Sequence, residues 1–224
     1  MKRIIFITGT DTGVGKTVLT ALLARFLRER GLSVAALKPV CSGGRDDANL
    51  LHTALEDSLT LDEINPWHFR AAIAPLFAAK LEKKSVKLAS VLAHVRTTRK
   101  EFELTLVEGA GGLLSPLGED FNSRDLMAAL RATPIIVAPN KLGMVNHILL
   151  TLEALPKNLR EKAKVVLMFP AKPDSATASN AKLLAQFFPQ QKIFTLPWFG
   201  EKVDLPTALK NLQVRRTLQK LSSC

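Results

Sequence analysis

Cysteine is scarce in this chain: Cys41 and Cys224 are the only two among 224 residues, and one of them stands at the very end. Neither a disulfide framework nor a cysteine-built metal site is available, and a reducing compartment, the cytoplasm, is the expected location. Long apolar runs are also missing. No stretch approaches the length of a membrane span, and the N-terminus enters a strand pattern directly, without the charged, apolar and cleavable order of a secretion signal. A soluble protein with no membrane partner is expected. Acidic residues are outnumbered, 20 Asp and Glu against 31 Lys and Arg, which leaves a net charge of +11. Such a surplus suits anionic partners: nucleotides, nucleic acid or a lipid surface. Its distribution argues for solvated helix faces instead, because the basic residues fall in short pieces (80–87, 96–100, 160–164, 215–220) on or beside expected helices. No basic tail or aromatic-interleaved stripe marks a nucleic-acid footprint.

The length suits a single domain spanning residues 1–224. Short apolar strands at Arg3–Thr8, Ser33–Leu37, Leu104–Val107, Ile135–Ala138, Val165–Phe169 and Ile193–Leu196 alternate with helical patterns. Val18 to Arg30 is one such helix, apolar at Leu19, Leu22, Leu23, Phe26 and Leu27; others are expected near 46–55, up to about Arg99, and to about Leu155. Residues 41–44 read as an irregular turn and 65–75 as a loop with an aromatic patch, Trp67, His68 and Phe69. Alternation without hairpin runs implies an α/β fold, a parallel sheet covered by helices on both faces. Ligands in such sheets bind beyond the carboxyl ends of the strands. The unusual segments, 9–17, 38–44, 108–112, 140–143 and 197–198, all follow strand ends and should converge on one edge.

The richest of these segments is Gly9-Thr10-Asp11-Thr12-Gly13-Val14-Gly15-Lys16-Thr17. It lies between a strand and a helix, where glycines let backbone N–H groups close on phosphate oxygens and the helix start adds positive potential. Lys16 is placed to reach the outer phosphates and the Thr17 hydroxyl to ligate Mg²⁺. The spacing is a variant: the common motif has four residues between its first Gly and Gly-Lys, but position 10 is Thr and the upstream glycine is Gly9.

Lys38 leaves a strand beside Pro39 and would bring a second ammonium to the phosphates. Glu108 ends another strand, where P-loop proteins hold Mg²⁺, and the small residues Gly109 to Gly112 permit close approach of a substrate. Asp46 and Asp47 both offer a further carboxylate, and pattern alone does not choose between them. Ser42, in a Gly-flanked turn, suits either a polar substrate or the turn itself. Trp198 suits a nucleobase or the core equally. Cys41 has no base in sequence and His52, His68, His94 and His147 have no metal-ligand spacing, so all five read as structural.

Together these residues resemble dethiobiotin synthetase over nearly the whole chain. The resemblance rests on 9–17, Lys38-Pro39-Val40-Cys41-Ser42-Gly43, Asp47-Ala48, Asn65-Pro66 with Phe69, Val107 to Gly112, Lys141 to His147 and Leu196-Pro197-Trp198. It implies ATP- and Mg²⁺-dependent closure of a ureido ring on 7,8-diaminopelargonic acid with CO₂, through a phosphorylated carbamate, in a homodimer that binds no nucleic acid. Lys38 and Lys16 are the implied catalytic residues. Gly13, Val14, Gly15, Lys16, Thr17, Val18, Asp47, Glu108, Gly109, Ala110, Gly111, Pro197, Trp198 and Phe199 are implied around the nucleotide. Thr17, Asp47 and Glu108 are implied around Mg²⁺, which selects Asp47 over Asp46. Thr12 and Ser42 are implied at the diamine, and Gly143, Met144, Val145 and Asn146 at the tail carboxylate across the dimer. One departure stands out: the family commonly carries an Asn after the fifth strand to read adenine, and this chain has Phe169-Pro170. Two other readings compete: a positioning ATPase acting on DNA or membrane, although Asp11 stands where that group carries its signature Lys, and a small-molecule kinase with the same cradle.

Overall fold

The computed structural model describes residues 3–188 and 192–223, so Cys224 lies outside the described residues. Among these residues the strands are β1 (Arg3–Gly9), β2 (Val34–Leu37), β3 (Val40–Ser42), β4 (Trp67–Phe69), β5 (Leu104–Glu108), β6 (Thr133–Pro139), β7 (Lys164–Met168) and β8 (Lys192–Leu196). The helices are α1 (Lys16–Arg28), α2 (Asp46–Ala54), α3 (Leu61–Ile64), α4 (Pro75–Leu81), α5 (Leu88–Thr98), α6 (Ser123–Leu130), α7 (Met144–Glu153), α8 (Lys157–Arg160), α9 (Asn180–Phe187), α10 (Leu205–Lys210) and α11 (Leu212–Ser222). Six strands form one parallel sheet in the order β2-β5-β1-β6-β7-β8. The α/β architecture expected from the alternation is the one observed.

The apolar strands explain the layering. Successive residues of a strand face opposite sides of the sheet, and every residue from Ile4 to Gly9, and from Leu104 to Glu108, is buried, so both faces are covered. On α1 the buried stripe runs through Leu19, Leu22, Leu23, Phe26 and Leu27, the spacing of one helix face. The chain leaves β1 for β2 and leaves the adjacent β5 for β6, so two connections diverge at the β1–β5 boundary. This is where an open α/β sheet forms its crevice.

One local expectation is corrected. Residues 40–42 and 67–69 form a second, two-stranded parallel sheet rather than a turn and a loop. Buried Val40, Cys41 and Phe69 supply its apolar side, and its backbone bonds are extended by Trp67 N–H to Pro39 O and Gly43 N–H to Phe69 O. Pro39 and Pro66 cannot donate, which keeps the pair short.

The C-terminal helix is fastened by an unusual buried cation. Lys164, at the start of β7, is 5% exposed, and its ammonium donates to the carbonyls of Lys220, Leu221 and Ser223 at the end of α11. A positive charge there complements the helix dipole and satisfies carbonyls left open by the helix end. Lys164→Met should lower stability by roughly 1–3 kcal/mol in urea unfolding, because buried acceptors lose their donor. An unchanged midpoint would show that water replaces the ammonium.

Candidate active site

The strand-to-helix loop folds as a phosphate cradle with demanding backbone geometry. Gly15, the residue before α1, has φ 96°, and a Cβ there would meet the Met168 side chain at 3.0 Å. A Cβ at Gly9 would meet Val14 Cγ2 at 2.7 Å, so the glycine at this longer spacing is required by close approach. No side chain caps the α1 N-terminus, which leaves its N–H groups to an anion. Lys16 is buried and its ammonium donates to the Asp11 carbonyl at 2.7 Å. Burial, and the like charge of Lys38, push the Lys16 ammonium below its ordinary pKa, against the pull of Glu108, Asp47 and Asp11.

The sheet register brings the other charged groups to this cradle. Leu37 pairs with Val107, and Ile7 pairs with Glu108, so Lys38, Glu108 and the loop after β1 emerge side by side. Lys38 is held by its backbone: its N–H donates to Ile64 O, and its carbonyl accepts from Asn65 Nδ2 at 2.7 Å. Its ammonium donates to Glu108 Oε1 at 2.8 Å and pairs with Asp47 Oδ2. The Thr17 hydroxyl donates to the same Glu108 Oε1 at 2.7 Å. Burial would weaken the Lys38 ammonium, but Glu108 and Asp47 hold its pKa above the ordinary value. For Asp47, burial acts upward and is outweighed by Lys38, with Thr17 and Lys16 adding to it, so its carboxyl lies below the usual range.

These groups fit a hard divalent cation. Glu108 is 1% exposed, and its Oε2 is buried with no hydrogen-bond partner among the described residues. Beside it stand the Thr17 hydroxyl and the Asp47 carboxylate, a compact set of oxygen donors of the kind Mg²⁺ takes. Asp47, and not Asp46, meets Lys38.

A cavity of about 650 Å³ joins the cradle to the strand ends. It is lined by Thr12, Gly13, Gly15, Lys16, Thr17, Val18, Lys38, Ser42, Asp47, Ala110 and Gly111, all singled out from sequence. Val14, Glu108 and Gly109 are buried behind them. The Ser42 hydroxyl donates to Ile73 O at 2.5 Å, tying the β3 end to an apolar wall of Ala72, Ile73, Ala74 and Pro75 that also lines the cavity. Ser115 and Pro116 close another side. No sequence signal marks these two walls, since they carry no charge or motif and become neighbours of the cradle only through the β3–β4 pairing and the turn after β5. Cys41 lines the cavity too, but its thiol sits 3.2 Å from Gly44 O and 3.3 Å from Asn65 Oδ1, and burial pushes its pKa up.

Two groups from the sequence lie outside this cavity. Gly143, with φ 85°, starts α7 with no side-chain cap, followed by buried Met144, Val145 and exposed Asn146. Pro197, Trp198 and Phe199 follow β8, three strands along the sheet from β1, and Trp198 is 51% exposed rather than a core residue. Phe169 and Pro170 follow β7 and are half-buried. A buried network fixes the next residues to the β6 end: Asn140 donates to Thr177 O, Thr177 Oγ1 donates to Asn140 O, and Asn180 donates to Asn140 Oδ1. Trp67 packs edge-on against His94 with ring centres 5.9 Å apart.

Residues 3–203 match the AAA domain family. The chain is 38% identical, over 94% of its length and 99% of the relative's, to the ATP-dependent dethiobiotin synthetase BioD of Akkermansia muciniphila. It is 44% identical over 68% of its length and 70% of the relative's to the protein of the same name from Anaeromyxobacter sp. (strain Fw109-5). Among solved structures it is similar to the MinC:MinD cell division protein complex of Aquifex aeolicus, with TM-score 0.61 and 16% identity over 98% of this chain and 95% of that one. It is also similar to the signal recognition particle receptor FtsY from Elizabethkingia anophelis, with TM-score 0.53 and 14% identity over 98% of this chain and 65% of that one. At those identities the two structures speak for the P-loop fold alone.

Replacing Gly15 with Ala tests the cradle. The strained φ and the Met168 contact should cost about 1–2 kcal/mol and weaken nucleotide binding at least tenfold, read by thermal melts and by calorimetric titration with ADP. Wild-type affinity would show that the loop tolerates a Cβ.

Proposed function

The chain belongs to the ATP-dependent dethiobiotin synthetase family, ligases of biotin synthesis that form C–N bonds, and from that premise we propose a phosphorylated-carbamate route through the residues around Lys38. The carrying observation is the convergence of Lys16, Lys38, Thr17 and Asp47 on one cavity between a phosphate cradle and an apolar wall, with Glu108 buried behind them and bonded to Lys38 and Thr17. The substrates are 7,8-diaminopelargonic acid, CO₂ and ATP. One substrate amine adds to CO₂ and loses a proton, giving a carbamate. A carbamate oxygen then attacks the γ-phosphorus of ATP and expels ADP, giving a mixed anhydride; the second amine attacks its carbamoyl carbon, loses a proton and expels phosphate, closing the ring.

In this reading Lys16 and Lys38 stabilise the negative charge that accumulates between carbamate and phosphoryl group, where preorganised cations lower a barrier most. Gly13 to Val18 wrap the phosphates, and Gly109, Ala110 and Gly111 let substrate and phosphoryl group approach without a side chain between them. Thr17, Asp47 and Glu108 would hold Mg²⁺, which when bound neutralises phosphate charge. Thr12 and Ser42 orient the diamine, whose aliphatic chain matches the Ile73–Pro75 wall. The uncapped start of α7, Gly143 to Asn146, would receive the tail carboxylate of a substrate bound in the partner subunit. Leu142 and Leu150, 79% and 61% exposed beside that helix start and along it, suit burial against a second copy. A cytoplasmic homodimer of one-domain protomers, with no nucleic-acid or membrane partner, completes the proposal; no described helix is long and apolar enough to cross a membrane.

The base end is built differently. Pro197, Trp198 and Phe199 offer ring surfaces and Phe169-Pro170 offers no side-chain amide, so stacking rather than edge recognition would hold the nucleobase.

Phosphate release should require diaminopelargonic acid and bicarbonate together with ATP and Mg²⁺, and mass spectrometry should find the cyclic urea. Release without the diamine or without bicarbonate would sink the synthetase reading. Lys38→Ala should lower kcat by roughly 10²–10³-fold, the order seen on removing one transition-state donor, while nucleotide affinity changes little; undiminished turnover would remove Lys38 from the chemistry. Turnover with ATP, CTP and GTP should agree within about tenfold, and Phe169→Asn should shift preference toward ATP. If the variant's preference matches wild type, this strand end does not read the base.

A further inference from the structure

We propose that the Lys38 ammonium and the divalent cation hold the same two carboxylates alternately, so that Lys38 acts as an internal counter-ion for the metal ligands and metal loading turns it into the cavity. The proposal rests on the reading of Thr17, Asp47 and Glu108 as those ligands. Its basis is that the ammonium is bonded to both carboxylates, and that the Glu108 oxygen it takes, at 2.8 Å, also accepts the Thr17 hydroxyl at 2.7 Å. Mg²⁺ binds carboxylate oxygens at about 2.1 Å. A metal on these carboxylates, the open Glu108 Oε2 included, would stand close to an ammonium still donating to them, and like charges at that distance repel strongly in a buried site. Thr17 need not move, because a hydroxyl that donates its proton to Glu108 keeps its lone pairs for a metal.

The motion required is small and confined to one side chain. The Lys38 backbone is fastened to Ile64 O and Asn65 Nδ2, while the side chain already lines the cavity between the cradle and the Ala110-Gly111 turn. Leaving the carboxylates therefore carries the ammonium toward the reacting phosphoryl group. One displacement frees the metal ligands and supplies the catalytic charge. Charge counting adds a condition. Lys16 and Lys38 balance Asp47 and Glu108, so a bare divalent cation would enter a neutral cluster at a penalty that a polyphosphate removes. Metal without nucleotide should bind weakly.

Mn²⁺ binding followed by electron paramagnetic resonance on the full chain tests this. Without nucleotide, Lys38→Met should bind Mn²⁺ at least tenfold more tightly than wild type, while Lys38→Arg, which keeps the charge, should remain as weak as wild type. With the β,γ-imido analogue of ATP, wild type should bind Mn²⁺ tightly and Glu108→Gln at least tenfold more weakly. If Glu108→Gln binds as wild type does, the ligand assignment itself falls. If Glu108→Gln is impaired but wild type and Lys38→Met bind Mn²⁺ alike without nucleotide, the ligands stand and the alternation is overturned. Should Lys38→Met fail to fold, ¹⁵N spectra of the lysine ammonium groups in wild type decide instead. The protected Lys38 resonance should shift and lose protection when Mg²⁺ and the analogue are added; an unchanged resonance refutes the proposal.

Discussion

The buried contact between Lys38 and Glu108 is the constraint from which this edge of the sheet is built. Both residues are almost inaccessible, 5% and 1% exposed, and they stand one position beyond the paired Leu37 and Val107 of neighbouring strands. A buried charge is tolerable only with a partner in good geometry, and removing one member of such a pair costs about 3–5 kcal/mol. A slip of β2 against β5 would separate these charges, so the pair and the sheet register enforce each other. Because β5 also pairs with β1 through Ile7 and Glu108, the same register sets the distance from the carboxylate to the phosphate cradle. The Thr17 hydroxyl bond to Glu108 closes the triangle from the helix side.

The remaining elements hold this edge from two sides. On one, Asn65 is completely buried and bonds the Lys38 carbonyl while the end of α3 takes the Lys38 N–H. On the other, the Asn140, Thr177 and Asn180 network fixes the loop after β6 to the segment after β7. Helix starts divide accordingly. Those of α6, α10 and α11 are closed by their own Asn122, Asp204 and Asn211 side chains. Those of α1 and α7, which follow the adjacent strands β1 and β6, begin at left-handed glycines and have no side-chain cap. A missing cap alone does not set these two apart, since α2, α4, α5, α8 and α9 also start without one; the left-handed glycine starts do, and they coincide with the two anions of the proposed reaction, a polyphosphate and a carboxylate.

How far the sequence discloses this arrangement depends on the kind of signal. The strands of the main sheet are readable because strands buried on both faces must be continuously apolar, and Phe6, Ile7, Val107 and Ile136 have no alternative. Lys38 and Glu108 are readable because a charge at the end of such a strand has few places to go. Asp47 is different: on a helix start it looks like Asp46, and only its contact with Lys38 separates the two. The β3–β4 pair escapes detection because three-residue strands carry too little periodicity. The wall at 72–75 escapes because aliphatic residues look the same against a substrate as against a core. Trp198, which the sequence leaves open between nucleobase and core, stands half in solvent, and only burial separates those two settings.

The net charge of +11 reads differently once the site is in view. Around the cavity Lys16 and Lys38 face Asp47 and Glu108, two cations against two anions, so the surplus lies elsewhere, largely on helix surfaces such as Arg215, Arg216 and Lys220 of α11. Long-range attraction for an anionic nucleotide can come from that surface, and it is screened by salt over about 10 Å. Local recognition cannot come from surplus charge, because the cluster is already neutral; it falls to the open N–H groups of the cradle and, on the proposed alternation, to a change in which cation neutralises which carboxylate. A triphosphate entering alone would bring unbalanced negative charge, and a divalent cation alone would bring unbalanced positive charge. On the proposed ligand set each therefore improves the site for the other, and linkage makes that improvement equal in both directions. Neutrality before binding, more than excess charge, is what would make this site demand nucleotide and metal together.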